Sequence, residues 1–336
     1  MRKRSIIPVA CLLLAGIAGQ ANAETVKLKF STWEPPQSWG PKRIYEPWIR
    51  AVEKASGGTL KIDMYAGASL GKPVAQLQNI KNRVADIGIL VPSFTPGRFK
   101  YNEIGELPLL WSDPTVAGIA ATHLVRKGLL KYPDIKVVGV VMTAAYQLHA
   151  NRPMTRLEDL KGLKIRAAGP IFGKIVRAIG ATPVGIPTPS VAESISRGVL
   201  NGAMNDWTLA KTFRILDVTP HHYEVPLGGV IALIGMNKQS YASLPPKAKA
   251  AIDKYSGEYI SRLWGDVVKS ETKAVVSSIK TNSKHTIVYP SAAELKRWKA
   301  RLRPIVDGWA ATSPEHKKRL QAFEAALAAA RAKVAK

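Results

Sequence analysis

The sequence predicts an α/β fold in two lobes, joined by strands that cross between them and braced by long C-terminal helices. From residue 26 to about 237, short β-branched or alternating apolar runs are interleaved with segments of helical spacing. Beyond Pro246 the pattern is almost wholly helical. Its character changes near residues 145 and 230, which divides the alternating part into two lobes visited in turn.

Val26 to Phe30 alternates apolar and polar residues and reads as a first strand. Trp33 to Pro41, with three prolines and a glycine, reads as a rigid loop carrying two indoles. Ile44, Trp48, Ile49, Val52 and Ala55 mark a helix that Gly57 and Gly58 end, and Leu60 to Tyr65 is a second strand. Helix is predicted again over 73–81 and 115–130, with buried strands over 85–91 and 135–141. A second series follows, with strands at 164–167, 181–186 and 203–205 and helices at 171–179 and 190–197. The long apolar run at 230–237 predicts a strand returning to the first lobe, and helices follow over 247–269, 291–309 and 314–335. The expected organisation is a presequence at 1–23, a first lobe over 24–145, a second over 146–232, a return to the first over 233–270, and terminal helices over 271–336 packing across both.

Residues 1–23 read as an export signal: Arg2, Lys3 and Arg4, then an apolar run from Ile6 to Ile17, then Ala21-Asn22-Ala23 as a cleavage site. Cys11 lies inside that run, so the processed chain has no thiol, no disulfide and no cysteine-based metal site. Its stability must therefore rest on a large apolar core. The formal net charge is +25. The basic residues are scattered, with no interleaved aromatic pattern of the kind that stacks on bases, so nucleic acid is not an expected partner. The charge suits solubility and the gathering of anionic ligands.

A search for catalytic groups finds little. The six histidines show no metal-ligand spacing, and neither a nucleophile elbow nor a dinucleotide-binding glycine motif occurs. His221-His222 reads as a solvated loop pair. No cofactor and no metal are expected, and the chain is not read as an enzyme.

Binding chemistry is better represented. Arg166 closes the strand Lys164-Ile165-Arg166, and small residues follow it at Ala167-Ala168-Gly169. There it could grip a carboxylate in a crevice, or equally lie on the surface. Asn205 ends another short strand and could offer its amide, or form a turn with Asp206. Trp33, Phe94, Tyr146 and Trp207 fall where such a crevice would need apolar walls, whereas Trp48 and Trp264 lie on helices and read as core.

These segments resemble the solute-binding proteins of the tripartite ATP-independent periplasmic (TRAP) transporters, the dicarboxylate-binding-protein-like (DctP) family. The likeness is carried by AVEKASGGTLKIDMYAGASLG at 51–71, ADIGI at 85–89, ELPLLW at 106–111, LEDLKGLKIR at 157–166, SRGVLNGAMN at 196–205 and MNKQSYASLPP at 236–246. It implies a two-lobed periplasmic binding protein fold whose cleft closes on a ligand. It makes Arg166 the residue that holds the ligand carboxylate and Asn205 its assistant. It also implies delivery from the periplasm to membrane permease subunits; the family allows a dimer through the last helices, and a monomer is the expectation here. The sialic-acid-binding branch carries a second arginine where Tyr146 stands here, a polar first-strand end where Trp33 stands, and an acidic residue at Val91-Pro92. A buried ligand hydroxyl left unpaired costs roughly 2–7 kcal/mol, so these departures favour a monocarboxylate with an apolar or aromatic body. A C4-dicarboxylate, a 2-oxo acid bridged by a metal to Glu34 and Asp206, or a sensory binding module are the alternatives.

Overall fold

The computed structural model describes residues 25–95 and 97–335, so the export signal read at 1–23 lies outside them. Two sheets organise the chain. The first contains β1 (Val26–Ser31), β2 (Leu60–Tyr65), β3 (Ile87–Leu90) and β4 (Lys136–Met142), with α1 (Glu46–Ala55), α2 (Gln76–Lys81) and α3 (Pro114–Arg126) between them. The second contains β5 (Gln147–Ala150), β6 (Lys164–Ala167), β7 (Thr182–Gly185), β8 (Gly202–Asn205) and β9 (His221–Tyr223), with α4 (Pro170–Ala178), α5 (Val191–Ser196) and α6 (Trp207–Thr212). Then β10 (Ile231–Met236) enters the first sheet between β3 and β4, antiparallel to both. The orders are β2-β1-β3-β10-β4 and β11-β9-β5-β8-β6-β7, where β11 is Thr286–Val288.

The chain therefore crosses between lobes at 143–146 and again at 224–230, and the two crossings are zipped together. The Thr143 N–H donates to Val230 O at 3.1 Å, the Tyr146 N–H to Gly228 O at 2.7 Å, and the Leu227 N–H to Tyr146 O at 3.0 Å. Because β10 runs against its neighbours, its first residues lie beside the carboxyl ends of β3 and β4. Open α/β sheets present ligands at those ends.

After α7 (Lys238–Ala242) and α8 (Pro246–Lys254), α9 (Glu258–Lys280) is the longest helix. The sequence pattern suggests one helix over 247–269. The structure instead breaks it at Gly257, whose φ of 62° suits glycine and whose N–H donates to Val138 O at 2.8 Å. From there α9 seats on β4 through Ser261 Oγ to Val140 O at 2.7 Å and Trp264 Nε1 to Met142 O at 2.8 Å. Its far end places Ile279 in the apolar core of the second lobe, among Val191, Leu200 and Trp207. One helix thus spans both lobes.

The terminal region is also not purely helical, because β11 adds a parallel edge to β9 before α10 (Ala292–Ala311) and α11 (Pro314–Val334). α10 packs on α4, and α11 on α3. A three-residue strand has too short a period to be read from sequence. The pair His221-His222 is likewise not a solvated loop: it lies in β9, and His222 is fully buried. Alternation turns His222 inward, where its Nδ1 meets His149 Nδ1 at 2.9 Å and its Nε2 meets His285 Nδ1 at 3.0 Å.

Candidate functional site

The lobes meet around Arg166, which is fully buried despite its charge. Parallel pairing sets it beside Val184 of β7 and Ala203 of β8, and the small Ala203 leaves room for the guanidinium. A buried charge needs partners, and the second lobe supplies them. Nε donates to Ile186 O at 3.0 Å; Nη1 donates to Met204 O at 3.1 Å and to Asn205 Oδ1 at 2.9 Å. Nη2 donates to Thr188 Oγ1 at 3.0 Å. A guanidinium has five N–H groups. These bonds use four, leaving one on Nη2.

Asn205 is turned by that contact. Its Oδ1 faces Arg166, so its Nδ2, buried and without a protein partner, remains a donor. Beneath it, the Asn205 carbonyl accepts from His149 Nε2 at 3.1 Å. A carbonyl can only accept, so His149 is protonated on Nε2, and its Nδ1 must accept from His222 Nδ1–H. His222 Nε2 in turn accepts from His285 Nδ1–H. Burial first, and neighbouring imidazoles second, hold His222 down to about 2, and burial holds His149 to about 4, so both rings stay neutral.

Tyr146 stands in the crossing segment with its ring stacked on Phe172, centroids 4.8 Å apart and planes 10° apart, and its hydroxyl beside the Arg166 guanidinium. Trp33, after β1, stacks on Phe213 of the other lobe at 5.5 Å, and its Nε1–H is buried without a partner. Phe94 follows β3 and is half-buried. Trp33, Phe94 and Tyr146 line one cavity of about 30 Å³, together with Glu34, Thr188 and Leu209. Phe94 and Ala168 also line a larger outer groove of about 590 Å³, where the exposed Lys174 and Arg177 stand. That groove carries positive charge and adjoins the buried cavity across Phe94 and Ala168.

Trp207 departs from the sequence reading. It is fully buried and does not line the cavity. Asp206 is the reason: its Oδ1 accepts from the Thr208 and Leu209 N–H groups, both at 3.0 Å, which caps α6 and turns the next residue beneath the sheet. Trp207 there packs against His149 and His222, each at 4.7 Å between centroids, and donates from Nε1 to Glu224 Oε2 at 3.0 Å. Leu209, two residues further on, takes the place at the wall. Trp264, read as core, has both roles: it bonds to Met142 O and borders the cavity.

Of two buried carboxyl groups here, the sequence reading names Glu34 only as one end of a metal bridge and does not name Glu106. Glu34 is buried at the cavity, and burial pushes it up to about 8, opposed by a bond from Tyr45 and aided by the charge of Asp206. Glu106 is fully buried between the lobes, where burial raises it to about 7. Neither carries a sequence signal, because an acidic residue in a loop normally reads as exposed. Among the described residues no cluster of three His, Cys, Asp or Glu side chains is arranged to hold a metal. Nor is any helix among them long and apolar enough to cross a membrane.

Two α/β lobes zipped at paired crossings, with a buried arginine facing the seam, define a cleft-type solute-binding protein. The chain belongs to the bacterial extracellular solute-binding proteins, family 7, whose pattern it matches over residues 30–312, and is a TRAP-type (DctP) solute-binding protein. It is 28% identical to a TRAP solute-binding protein from Rhodoferax ferrireducens, solved with copurified benzoate, with a TM-score of 0.87 over 93% of this chain and 100% of the other. A marine-metagenome TRAP protein specific for aromatic acids, solved with 3-hydroxybenzoate, is 26% identical with a TM-score of 0.85 over 91% of this chain and 98% of that one. The C4-dicarboxylate-binding periplasmic protein DctP of Rhodobacter capsulatus is 23% identical over 89% of this chain and 90% of its own length. Proteins of this family serve transport, binding small organic acids and working with membrane permease components.

Proposed function

We propose that this protein captures an aromatic monocarboxylate in the interlobe cleft of the periplasm and hands it, as a monomer, to membrane permease subunits. The observation that carries the reading is the set of polar groups left over at an aromatic-walled cavity. Trp33 Nε1 is an N–H donor in the cavity wall, and Arg166 Nη2 and Asn205 Nδ2 are donors buried behind that wall, where the Tyr146 hydroxyl stands beside the guanidinium. Donors grouped around one cation suit one carboxylate, with a ring lying against Trp33, Phe94 and Tyr146. Arg166 stands behind the wall residues Tyr146 and Thr188, and among the described residues lining the cavity there is no further lysine or arginine; Lys174 and Arg177 belong to the outer groove. The benzoate and 3-hydroxybenzoate bound by the two similar TRAP proteins support this ligand class.

A volume of about 30 Å³ holds roughly two waters, too little for a benzene ring. The lobes or the aromatic side chains must part to admit the acid. Closure then gains what the closed form's additional contacts with ligand provide, a population shift and not a chemical step.

Calorimetry and thermal shift on ligand-stripped mature protein test the reading, with benzoate-type acids, C4 dicarboxylates and sugar acids compared. Benzoate-type acids are expected to stabilise the fold, and Arg166→Ala to abolish that effect. Stabilisation by dicarboxylates or sugar acids alone would overturn it.

A further inference from the structure

Glu34 is buried at the cavity without a nearby cation to explain it. The groups acting on it are the Tyr45 hydroxyl and the Asp206 carboxylate across the seam, while Trp33, Leu209 and Trp264 around the same cavity bring no charge. Its position is held from both sides in the chain. The Glu34 N–H donates to Thr32 Oγ1 at 3.2 Å, and its carbonyl accepts from the Gly67 N–H at 2.8 Å. A side chain at Gly40 would collide with the Glu34 carboxyl, so the glycine makes room for it.

The hydrogen bonds around it have a direction. Tyr45 donates to Glu34 Oε1 at 3.1 Å. An uncharged carboxyl accepting at Oε1 carries its proton on Oε2, and Oε2 has no partner in the protein. The outcome is one buried O–H donor without a partner, provided by the first lobe on a residue that lines the cavity, while the anion-holding groups belong chiefly to the second.

We propose that Glu34 is a specificity subsite whose uncharged carboxyl donates to a neutral oxygen on the ligand's ring, a hydroxyl, carbonyl or ether placed away from the carboxylate. This rests on the capture of an aromatic monocarboxylate proposed above and narrows it to oxygen-substituted members of that class. An unsubstituted ring would leave the Oε2–H without a partner when the cleft closes, and a buried unmade bond is what a polar subsite discriminates against. A second ligand carboxylate there gains no cation and feels the Asp206 charge that already acts on Glu34, so the substituent is neutral.

The test is calorimetry on the mature protein with benzoate, 3- and 4-hydroxybenzoate and the corresponding methoxybenzoates, which can only accept a bond. At least one substituted acid should bind about 10-fold tighter than benzoate, as expected for one buried hydrogen bond. Glu34→Leu should erase that preference by weakening the substituted acids and relieving the unpaired donor that benzoate faces, and Glu34→Gln, which keeps a donor of similar shape, should retain most of it. A pH series on the unaltered protein gives a reading that needs no variant. Methoxybenzoate affinity should fall between pH 7 and pH 9 as Glu34 ionises, and stay level in Glu34→Gln. Equal affinities for benzoate and every substituted acid, unchanged in Glu34→Leu, would overturn the subsite while leaving aromatic-acid capture standing. Binding of none of these acids would instead reject the capture reading.

Discussion

Glu106, in the segment between β3 and α3 of the first lobe, accepts a hydrogen bond from the Ile171 N–H at the start of α4 in the second, at 3.3 Å. The Ser93 hydroxyl donates to the same carboxyl. A carboxyl oxygen at the N-terminal end of a helix is favoured by the exposed N–H groups there and by the helix dipole. This contact joins the lobes outside the crossing strands.

Glu106→Ala should therefore cost about 1–3 kcal/mol of stability, because it leaves the buried Ile171 N–H and the half-buried Ser93 hydroxyl without their acceptor. Glu106→Gln keeps an acceptor and should cost less. Urea unfolding of the two variants side by side measures the difference.

Asn205→Asp should be worse for ligand than Asn205→Ala. Alanine removes one donor and is expected to cost about 10-fold in affinity. Aspartate removes the donor, pairs with Arg166 and sets a negative charge beside the ligand anion, for a loss on the order of 100-fold. Titration of benzoate against both variants checks the order.

Trp207→Phe should separate core from pocket. The indole bonds Glu224 and packs between His149 and His222, away from the cavity. Stability should fall by about 1–3 kcal/mol, since a part-buried carboxylate loses its donor. Affinity for aromatic acids should stay within about twofold, the expectation for a residue that contacts no ligand. A large loss of affinity with unchanged stability would return Trp207 to the binding wall.

The buried titrating groups define a pH profile. Glu34 and Glu106 lie at about 8 and 7 when folded against an ordinary 4.5, so their contribution is complete below 4.5 and is lost as pH rises toward 8. His149 and His222 are depressed to about 4 and 2 from 6.5, so the unfolded chain takes up protons that the fold refuses, and stability is lost as pH drops below 6.5. Between 4.5 and 6.5 the two pairs oppose each other. Urea midpoints measured from pH 3 to 9 should show a nearly level stretch there and a decline on each side, with the alkaline decline reduced in Glu34→Gln.

The succession of strands and helices was readable because each strand carries several apolar or β-branched residues and glycines punctuate the turns. Arg166 was readable as a cation at a strand end followed by small residues, although only the structure decides between surface and seam. Three features were not readable. β9 and β11 have three residues each, too few to show a period, and with them the burial of His222 was hidden. The direction of Trp207 depends on Asp206 acting as a cap and not as part of a turn, a choice that both residue types allow. Glu34 lies in a proline-rich loop that looks solvent-facing, and what buries it, Tyr45 and the space at Gly40, comes from the helical turns that follow.

The long helix α9 has a mechanical consequence. At 23 residues it is a rod of about 35 Å, riveted to β4 at one end and embedded in the second lobe's core at the other. The zipped crossings allow a fold like that of a door hinge, but the rod behind them cannot fold; it can only bow. Movement of one lobe against the other therefore has to be accommodated along α9 or at one of its two seats. Residues on the exposed face of α9, remote from every ligand-facing atom, thereby become a means of adjusting how tightly the cleft holds its cargo.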